Sequence, residues 1–449
     1  MIESRRDIGQ LAARRLELVK LTVEYPSNVP FGTVSRIVGM TIEAKGLTAA
    51  LGSICVIQSS SGMESEAQVV GFREDVILLM PFEGTEGLDS GARVRLRNQS
   101  DQALVGEDAL GRVLDARGEP LDGLPPLKRL ASVPLAGPKI NPMLRDPIEE
   151  VLDIGVRAIN ALLTMGCGQR IGLIAGSGVG KSVLLGMMTR FSSADVIVIG
   201  LIGERGREVK EFIEKILGKQ GLSRSVVIAS PADSSPLLRM RGANLAHCYA
   251  EFFRDHGQNV LLLMDSLTRV AHAQREIGLA VGEPPAVKGY PSSVFSLLPK
   301  LIERTGRGSE GLGSITAIYT ILAEGDDLND PVVDIARSAL DGQIALSRDL
   351  ADEGHFPAID LQGSVSRLIQ VLQDKTNQQR SITFRRLWAS FQQNKDLVQV
   401  GAYQGGTNVD LDRALNIREG MIKFLTQDID EQCDLESSMH ALMELIDGS

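Results

Sequence analysis

The stretch RIGLIAGSGVGKSVLL, which runs from Arg170 to Leu185, decides the fold of the chain. It opens with an apolar run typical of a buried strand, continues through a glycine-rich segment, and closes with residues that favour a helix. Glycines in the middle segment allow backbone N–H groups to close around phosphate oxygens. The N-terminus of the following helix attracts anions through its dipole. The stretch therefore predicts a site for the phosphates of a nucleotide.

The predicted phosphate-binding residues are consecutive: Ala175, Gly176, Ser177, Gly178, Val179, Gly180, Lys181 and Ser182. Lys181 would place a cation on the outer phosphates, and the Ser182 hydroxyl would be a ligand for Mg²⁺. Ala175 departs from the strict pattern, which has glycine at this position, but alanine fits if its φ is negative. The alternative is a glycine-rich turn that binds nothing.

An acidic residue, Glu204, follows the next apolar run, DVIVIGLIG. Because ligands bind at the carboxyl ends of strands in a parallel sheet, Glu204 is expected to face the same crevice as the phosphate loop. A carboxylate there could orient and polarise the water that attacks the γ-phosphate. Arg205 and Arg207 would contact phosphate or pair with Glu204 and Glu208. The alternative for the whole group is a surface charge cluster.

A third apolar run, NVLLLMDS, ends in Asp265 and Ser266. An acid at the end of a buried strand, downstream of a phosphate loop, is typical of a carboxylate that holds the water shell of Mg²⁺. Many strands end in aspartate, so the pattern gains its weight from the phosphate loop upstream. We therefore predict a metal site formed by Asp265 and Ser182.

The bulk composition limits the classes of function. The chain has 449 residues, 47 of them basic and 57 acidic, with a net charge of −10. Nucleic-acid-binding proteins usually carry a basic surplus, so no nucleic-acid partner is expected. The four scattered cysteines predict reduced, buried thiols, and no His/Cys spacing resembles a zinc site. No segment has the composition of a signal peptide or a membrane span, so a cytoplasmic protein is expected.

The hydrophobic pattern changes along the chain and predicts an α/β protein in several parts. Residues 1–30 contain a basic amphipathic helix, which could lie on an acidic membrane, dock on a partner or pack on its own domain. Residues 31–97 are short β-rich runs separated by turns, typical of a small β-barrel or sandwich. Residues 98–375 alternate helical stretches, such as 207–218, with six apolar runs typical of strands: RIGLIAG, DVIVIGLIG, SVVIAS, NVLLLMDS, SITAIYTIL and GQIALS. This alternation indicates a parallel sheet covered on both faces. Residues 376–449 predict a helical domain.

Five segments, and the order in which they occur, resemble those of a known family. They are AGSGVGKS, GLIGERGREVKEFI, LLLMDSLTR, AQREIGLAVGEPPAVKGYPSSVF, and GHFPAID followed by SVSR. Together they resemble the ATPases of type III protein export, and the segments KSVLLGMM and SPLLRMRGA favour the flagellar branch. The likeness spans residues 30–430 and extends to the catalytic subunits of F-type and V-type rotary ATPases. It implies an ATP-hydrolysing enzyme with a central RecA-like domain, an N-terminal β-barrel and a C-terminal helical domain.

The resemblance also assigns roles to residues near the phosphate loop. Lys181 and Ser182 would bind phosphates and Mg²⁺, and Asp265 would match the magnesium-binding acid. Glu204 would match the catalytic carboxylate, and Arg205 the phosphate contact beside it. ATP and Mg²⁺ are the cofactors that follow from these roles.

Two further residues receive roles from the resemblance alone. Phe356, in HFPAID, would match the aromatic side chain that packs on adenine, although by its pattern it could be a core residue. Arg367, in SVSRL, would match the arginine that reaches into the site of the neighbouring subunit. Such an arginine is worth roughly 10³–10⁵ in turnover, so an isolated subunit would be nearly inactive. The family forms homohexamers with each site at a subunit boundary.

Several partners are implied in the same way. Residues 282–295, GEPPAVKGYPSSVF, would face the central opening of the ring and contact a coiled-coil central stalk protein. Their prolines predict a stiff segment without helix. The N-terminal helix would bind a regulatory stator-like protein and could make a peripheral contact with the inner membrane. The C-terminal helices would meet export substrates and their chaperones, next to an export gate.

Three alternatives to a flagellar export motor remain open at this stage. An injectisome ATPase of virulence secretion shares most of the five segments. An RNA-translocating ring like the terminator Rho carries related GER and LLxDSxTR stretches, but the charge of −10 and 4% aromatic residues argue against a groove for single-stranded RNA. A rotary synthase subunit would be supported by a partner of different sequence in the ring.

Overall fold

The computed structural model describes residues 31–138, 140–309, 311–322 and 330–448. The helix predicted within residues 1–30 lies outside these ranges. The chain divides into two compact units, the first ending at Asp101 and the second beginning at Gln102. Each unit has its own hydrophobic core.

The first unit contains a closed antiparallel barrel with the strand order β1-β2-β5-β4-β3-β6. The strands are β1 Phe31–Val38, β2 Thr41–Lys45, β3 Ile54–Gln58, β4 Glu64–Arg73, β5 Val76–Pro81 and β6 Arg93–Asn98. Val34, Ile42 and Val94 point inward and are fully buried. The residues beside Val34 and Val94 are exposed, which is the two-residue alternation of a sheet with one buried face. The β-rich runs therefore form a barrel rather than a sandwich.

The second unit is built on a mostly parallel sheet of nine strands among the described residues, ordered β19-β18-β12-β17-β15-β13-β14-β8 with β16 on β17. In chain order its strands, including two small antiparallel pairs outside that sheet, are β7 Gln102–Val105, β8 Arg112–Leu114, β9 Ala131–Pro134, β10 Val151–Leu152, β11 Met165–Gly166, β12 Arg170–Ala175, β13 Val196–Ile202, β14 Ser225–Ser230, β15 Asn259–Asp265, β16 Gly306–Arg307, β17 Ser314–Leu322, β18 Gly342–Leu346 and β19 Ile359–Ser366. All residues of β13 are buried, as expected for a strand covered on both faces. The six apolar runs predicted as strands of this sheet are β12, β13, β14, β15, β17 and β18.

Helices of the second unit follow and cover these strands. They are α1 Arg157–Leu162, α2 Lys181–Phe191, α3 Gly206–Glu211, α4 Gly218–Ser223, α5 Pro236–Asp255, α6 Leu267–Val281, α7 Ser292–Ile302, α8 Pro331–Ala339, α9 Arg348–Asp352, α10 Ile369–Leu372, α11 Lys375–Gln393, α12 Lys395–Gln399, α13 Val409–Asn416, α14 Arg418–Leu425 and α15 Leu435–Asp447. The helix predicted at 207–218 is not regular. It begins as α3, widens into a π-helix at Phe212–Leu217 and restarts as α4, where Gly218 has a φ of 62°. A positive φ suits glycine and interrupts a right-handed helix.

The prediction that residues 282–295 contain no helix is wrong for the last four of them. Helix α7 begins at Ser292, directly after Pro291. Proline is tolerated at the start of a helix, so it marks where this helix begins and does not exclude it.

The C-terminal helices share the core of the sheet. Phe384 of α11 and Phe424 of α14 lie with ring centroids 5.1 Å apart. They belong to one buried apolar cluster that also contains Leu173 of β12 and Ile159 of α1. The predicted boundary between residues 375 and 376 therefore lies within a single compact unit by contacts, and its status as a domain boundary stays a prediction.

Strand β19 is an element of the main sheet that the sequence pattern did not predict. It runs antiparallel to β18, with Leu346 opposite Ile359 and Gly342 opposite Ser366. As an edge strand it is only partly buried, so its sequence IDLQGSVS lacks the continuous apolar run of the central strands. It carries the chain from the carboxyl edge of the parallel sheet back to the amino edge.

The cysteines have the environment that the composition predicts. All four cysteines are free and buried, which confirms that expectation. Within the described ranges, no helix combines the length and the apolar character that crossing a bilayer requires.

Candidate active site

The phosphate loop lies between the carboxyl end of β12 and the first turn of α2. Gly178 and Gly180 have φ values of 78° and 89°, a left-handed conformation that favours glycine. A Cβ atom on Gly178 would meet no atom within 4 Å, so space is open beside the loop. Ala175 is the last residue of β12 and is not among the described residues with positive φ, so glycine is not required there. The loop therefore has the conformation that a phosphate cradle needs.

Two carboxylates converge on Lys181 at this loop. The Lys181 Nζ atom lies 2.5 Å from Asp265 Oδ1 and 3.6 Å from Glu204 Oε1. Asp265 ends β15 and Glu204 follows β13, and these strands are parallel neighbours in the sheet. All three side chains are largely withdrawn from solvent, with exposed fractions of 12% for Lys181, 15% for Glu204 and 5% for Asp265. The fold thus brings together the cation and both acids that the sequence analysis singled out.

A residue that the sequence analysis missed holds Asp265 in place. Thr320 lies on β17, next to β15, and its hydroxyl donates to Asp265 Oδ1 at 2.7 Å. The available signal was a threonine in the apolar run SITAIYTIL. That signal identifies a polar group in a buried strand but does not identify its partner.

Glu204 is an acid in an unfavourable environment. Burial first, and then the negative charge of Asp265, raise the pKa of Glu204 from 4.5 to about 7, while the Lys181 cation lowers it. Its Oε1 atom is buried and accepts no hydrogen bond from the described residues. A buried carboxylate oxygen without a donor is able to accept a hydrogen bond from a water molecule or ligand that enters the site.

This raised pKa predicts a pH dependence of the nucleotide-free enzyme. If the ionised form of Glu204 is the active form, kcat/KM for ATP falls below about pH 7, by about tenfold for each further pH unit, because the ionised fraction falls in that way. Steady-state rates between about pH 5.5 and about pH 8.5 measure it, and the residual rate of Glu204→Gln should lack this dependence. A kcat/KM that stays flat through this range in the wild type would contradict the prediction.

Arg205 lies apart from this cluster. Its side chain is 82% exposed and its nearest acidic partner is Glu208, at 3.6 Å. The carbonyl of the preceding residue, Glu204, accepts the N–H of Ala232, which fixes the backbone beside Arg205. A role of Arg205 as a phosphate contact stays a prediction.

Phe356 lies at the helix end of the phosphate loop. A Cβ atom on Gly180 would approach the Phe356 ring to 3.4 Å, and 45% of Phe356 remains exposed. Its carbonyl accepts the N–H of Gln427, from the segment between α14 and α15. Arg348, which the sequence analysis missed, donates from Nη2 to the Ser177 carbonyl at 3.1 Å. The aromatic ring and this arginine flank the loop from the segment that follows β18.

The exposed ring predicts a binding effect. Phe356→Ala should raise KM for ATP by about tenfold with a smaller change in kcat, because stacking on a base is worth about 1–3 kcal/mol. Phe356→Tyr, which keeps the aromatic face, should retain the wild-type KM. Fluorescence titration with a labelled nucleotide would measure the affinities, and equal values for wild type and Phe356→Ala would rule out the adenine contact.

Arg367 lies at the opposite edge of the sheet. It follows the last residue of β19, and its N–H donates to the Asp341 carbonyl at 3.0 Å. The Asp341 carboxylate in turn accepts from Arg170, the first residue of β12. The phosphate loop begins at the other end of β12, about 20 Å away for a six-residue strand. Arg367 is therefore separated from the phosphate loop of its own chain by the length of the sheet.

The fold and the site together define a class of protein. A strand, a phosphate loop and a helix, with acids at the ends of two other parallel strands meeting the loop lysine, form the nucleotide site of a P-loop nucleoside triphosphatase. A six-stranded barrel precedes this unit and helices follow it.

Comparison with known proteins narrows the class. Residues 34–97 and 155–366 match the β-barrel domain and the nucleotide-binding domain of the ATP synthase alpha/beta family, and residues 373–444 match the T3SS EscN ATPase C-terminal domain. The flagellum-specific ATP synthase of Salmonella typhimurium is 57% identical over 92% of each chain. That of Pseudomonas aeruginosa is 53% identical over 97% of this chain and 98% of its own. The assembled ATPase EscN of enteropathogenic E. coli superposes with a TM-score of 0.88 at 41% identity, covering 92% of this chain and all of EscN.

The chain belongs to the family of flagellum-specific ATP synthases. It is an ATP-hydrolysing P-loop enzyme of type III export, and the higher identity to flagellar relatives than to EscN supports the flagellar branch. The predicted three-part fold, with a barrel, a central parallel sheet and C-terminal helices, is confirmed.

Proposed function

We propose that the chain works as a homohexameric ring that hydrolyses ATP with Mg²⁺ and thereby drives the unfolding and chaperone release of flagellar export substrates. The convergence of Glu204 and Asp265 on Lys181 carries this proposal. A buried lysine that pairs with two acids can bind the phosphates of a nucleotide instead when the nucleotide enters the site. ATP is the substrate that fits such a site in this family.

Mg²⁺ fits the donor set of the site. Mg²⁺ uses few protein ligands and fills its shell with water and substrate phosphates. The Ser182 hydroxyl, at the start of α2, and the Asp265 carboxylate are the side chains that would hold it, with Thr320 orienting Asp265. When bound, the metal neutralises charge on the phosphates.

Glu204 is the group that would act on the attacking water. Its buried Oε1 lies 3.6 Å from the Lys181 cation but accepts no hydrogen bond from the described residues, so it is available to accept one from a water molecule. In that position the carboxylate orients the water towards the γ-phosphate and can accept a proton from it. Lys181 would move from the two acids to the phosphates, which leaves Glu204 free for this role.

Arg367 would complete the site of a neighbouring subunit. Its distance from the phosphate loop of its own chain supports an action in trans, because head-to-tail contact in a ring can bring opposite edges of two copies together. EscN, the structural relative, forms an assembled ATPase. In this arrangement each boundary contains the loop of one copy and the arginine of the next.

The segment 282–295 would contact a coiled-coil central stalk. Tyr290 anchors the base of this segment, since its hydroxyl hydrogen-bonds His272 at 3.1 Å and Arg275 lies 5.0 Å over its ring. Val287, nearer the tip, is 58% exposed and so available to a partner. EscN has been solved in complex with its central stalk EscO, which supports the same kind of partner here.

Further partners complete the proposal. A stator-like regulator would bind the N-terminal segment, and export substrates with their chaperones would meet the C-terminal helices. The ring would lie in the cytoplasm, peripheral to the export gate at the inner membrane. The flagellum-specific relatives support a role at the flagellum.

The dependence of the rate on concentration tests the ring. The ATPase rate per subunit should rise steeply with protein concentration and then level off as rings form, because each site needs two copies. Lys181→Ala should be inactive throughout, and light scattering should follow the oligomer in the same samples. A rate per subunit that is constant over all concentrations would show that each copy has a complete site.

Export is tested in cells. Wild-type protein should restore secretion of flagellar filament protein in a flagellated bacterium deleted for its own relative, while Lys181→Ala should not. Lys215→Ala, which removes an exposed lysine that pairs with Glu211, is the matched control and should behave as wild type. If the wild-type protein hydrolyses ATP normally but does not restore secretion, the export role is contradicted. The assignment of ATP hydrolysis would be unaffected.

A further inference from the structure

A second arginine faces the same cavity as Arg367. The cavity, of about 410 Å³, lies in the second unit at the amino edge of the parallel sheet, beside the start of β18 and the end of β19. Its lining consists of Arg337, Gly342, Gln343, Gln362, Gly363, Ser364, Val365 and Arg367. Arg337 lies in the last turn of α8, the helix that leads into β18.

The two arginines are held by neutral groups. Arg337 Nε donates to Gln343 Oε1 at 2.8 Å, and Gln343 Nε2 donates to the Gly363 carbonyl at 2.7 Å. Arg367 Nη2 donates to the Arg337 carbonyl at 3.2 Å. Gln343 thus fixes one edge of the Arg337 guanidinium at the wall of the cavity.

The cavity has a surplus of positive charge. Among residues 31–138, 140–309, 311–322 and 330–448, no carboxylate forms an ion pair with Arg337 or Arg367, and none lines the cavity. Two guanidinium groups near one another repel unless an anion lies between them. Guanidinium groups bind phosphate oxygens in paired hydrogen bonds, so a multiply charged phosphate is the class of ligand that fits.

This phosphate must come from another molecule. The phosphate loop of the same chain lies at the carboxyl edge of the sheet, whereas the cavity lies at the amino edge. We propose that Arg337 is a second arginine acting in trans: with Arg367 it contacts the phosphates of the nucleotide bound by the neighbouring copy, and Gln343 is its positioning residue. The inference rests on the proposed function, since it requires the shared site at a subunit boundary.

Steady-state kinetics of full-length rings test the role. Arg337→Ala should lower kcat by about ten- to a hundredfold with little change in KM, as for loss of one charged hydrogen bond to the transition state. Arg337→Gln keeps a donor for Gln343 and removes the charge. It therefore tests the role of the charge even if the Arg337→Ala protein assembles poorly. Arg386→Ala, which removes an exposed arginine of α11, is the control and should keep the wild-type rate.

Mixed rings separate an action in trans from a structural effect. Rings of Arg337→Ala and Lys181→Ala subunits should recover activity at about a quarter of the boundaries, because each site borrows from one neighbour only. The double variant Arg337→Ala/Lys181→Ala, mixed with Arg337→Ala, creates no complete boundary and should recover nothing. Recovery in the first mixture alone supports the proposal, and equal rates in both mixtures overturn it.

Two results separate the role of Arg337 from the existence of a site shared between neighbouring copies. If Arg367→Ala abolishes turnover while assembled Arg337→Ala and Arg337→Gln keep the wild-type kcat, this inference fails and the proposed function stands. If Arg367→Ala itself keeps the wild-type rate in an assembled ring, the shared site fails and the role of Arg337 fails with it.

Discussion

Arg367→Ala should abolish nearly all ATPase activity of the assembled ring, with a loss of roughly 10³–10⁵ in kcat. The reason is that the guanidinium would stabilise the charge that develops on the transferred phosphoryl group. Binding of ADP, which uses the phosphate loop of the other copy, should be retained. ATPase rates at saturating protein concentration, together with ADP titration, measure both effects.

The control for Arg367 is matched in exposure and charge. Arg386→Ala removes an exposed arginine that pairs with Asp410 on the C-terminal helices, far along the chain from the β19 end. It should keep the wild-type kcat. Light scattering must show that Arg367→Ala still assembles, because a loss of rings would also remove the rate. A fully assembled Arg367→Ala ring with the wild-type kcat would contradict the trans assignment.

Glu204→Gln should lower kcat by about 10²–10⁴, the usual contribution of a general base. Glutamine keeps the size of the side chain but cannot accept the proton of the attacking water. It also removes a negative charge 3.6 Å from Lys181 and close to Asp265, so ADP affinity should be retained or increased. Single-turnover hydrolysis and ADP titration separate the loss of chemistry from any change in binding.

Glu214→Gln is the matched control for this substitution. Its carboxylate lies ten residues further along the chain, is 61% exposed and pairs with Lys210. It should leave kcat unchanged. A Glu204→Gln enzyme with the wild-type rate would exclude Glu204 as the base and would leave Asp265 as the only acid of the cluster.

The phosphate loop and its two acids could be predicted because their signals are local. Each acid follows an apolar run, and a parallel sheet brings the carboxyl ends of its strands to one edge. Glu204 and Asp265 therefore meet Lys181 although 61 residues separate them in the chain. The rule needs only the identity of each strand and its direction.

Thr320 and Arg348 could not be found in the same way. Thr320 reaches Asp265 across 55 residues, and Arg348 reaches Ser177 across 171. Each acts through one side-chain contact between distant segments. No pattern in the flanking residues indicates such a partner, because the contact depends on how neighbouring elements are placed side by side.

The sequence by itself determined the class of site, the β-rich character of the first unit, the six central strands and the helical C-terminal region, since periodicity and glycine spacing act over a few residues. Only the tertiary structure decided the direction of β19, and with it the places of Phe356 and Arg367. Strand pairing is a non-local ladder of hydrogen bonds, and an edge strand of mixed polarity does not reveal its direction. Because β19 runs antiparallel, Phe356 lies beside the phosphate loop of its own chain and Arg367 lies at the far edge of the sheet.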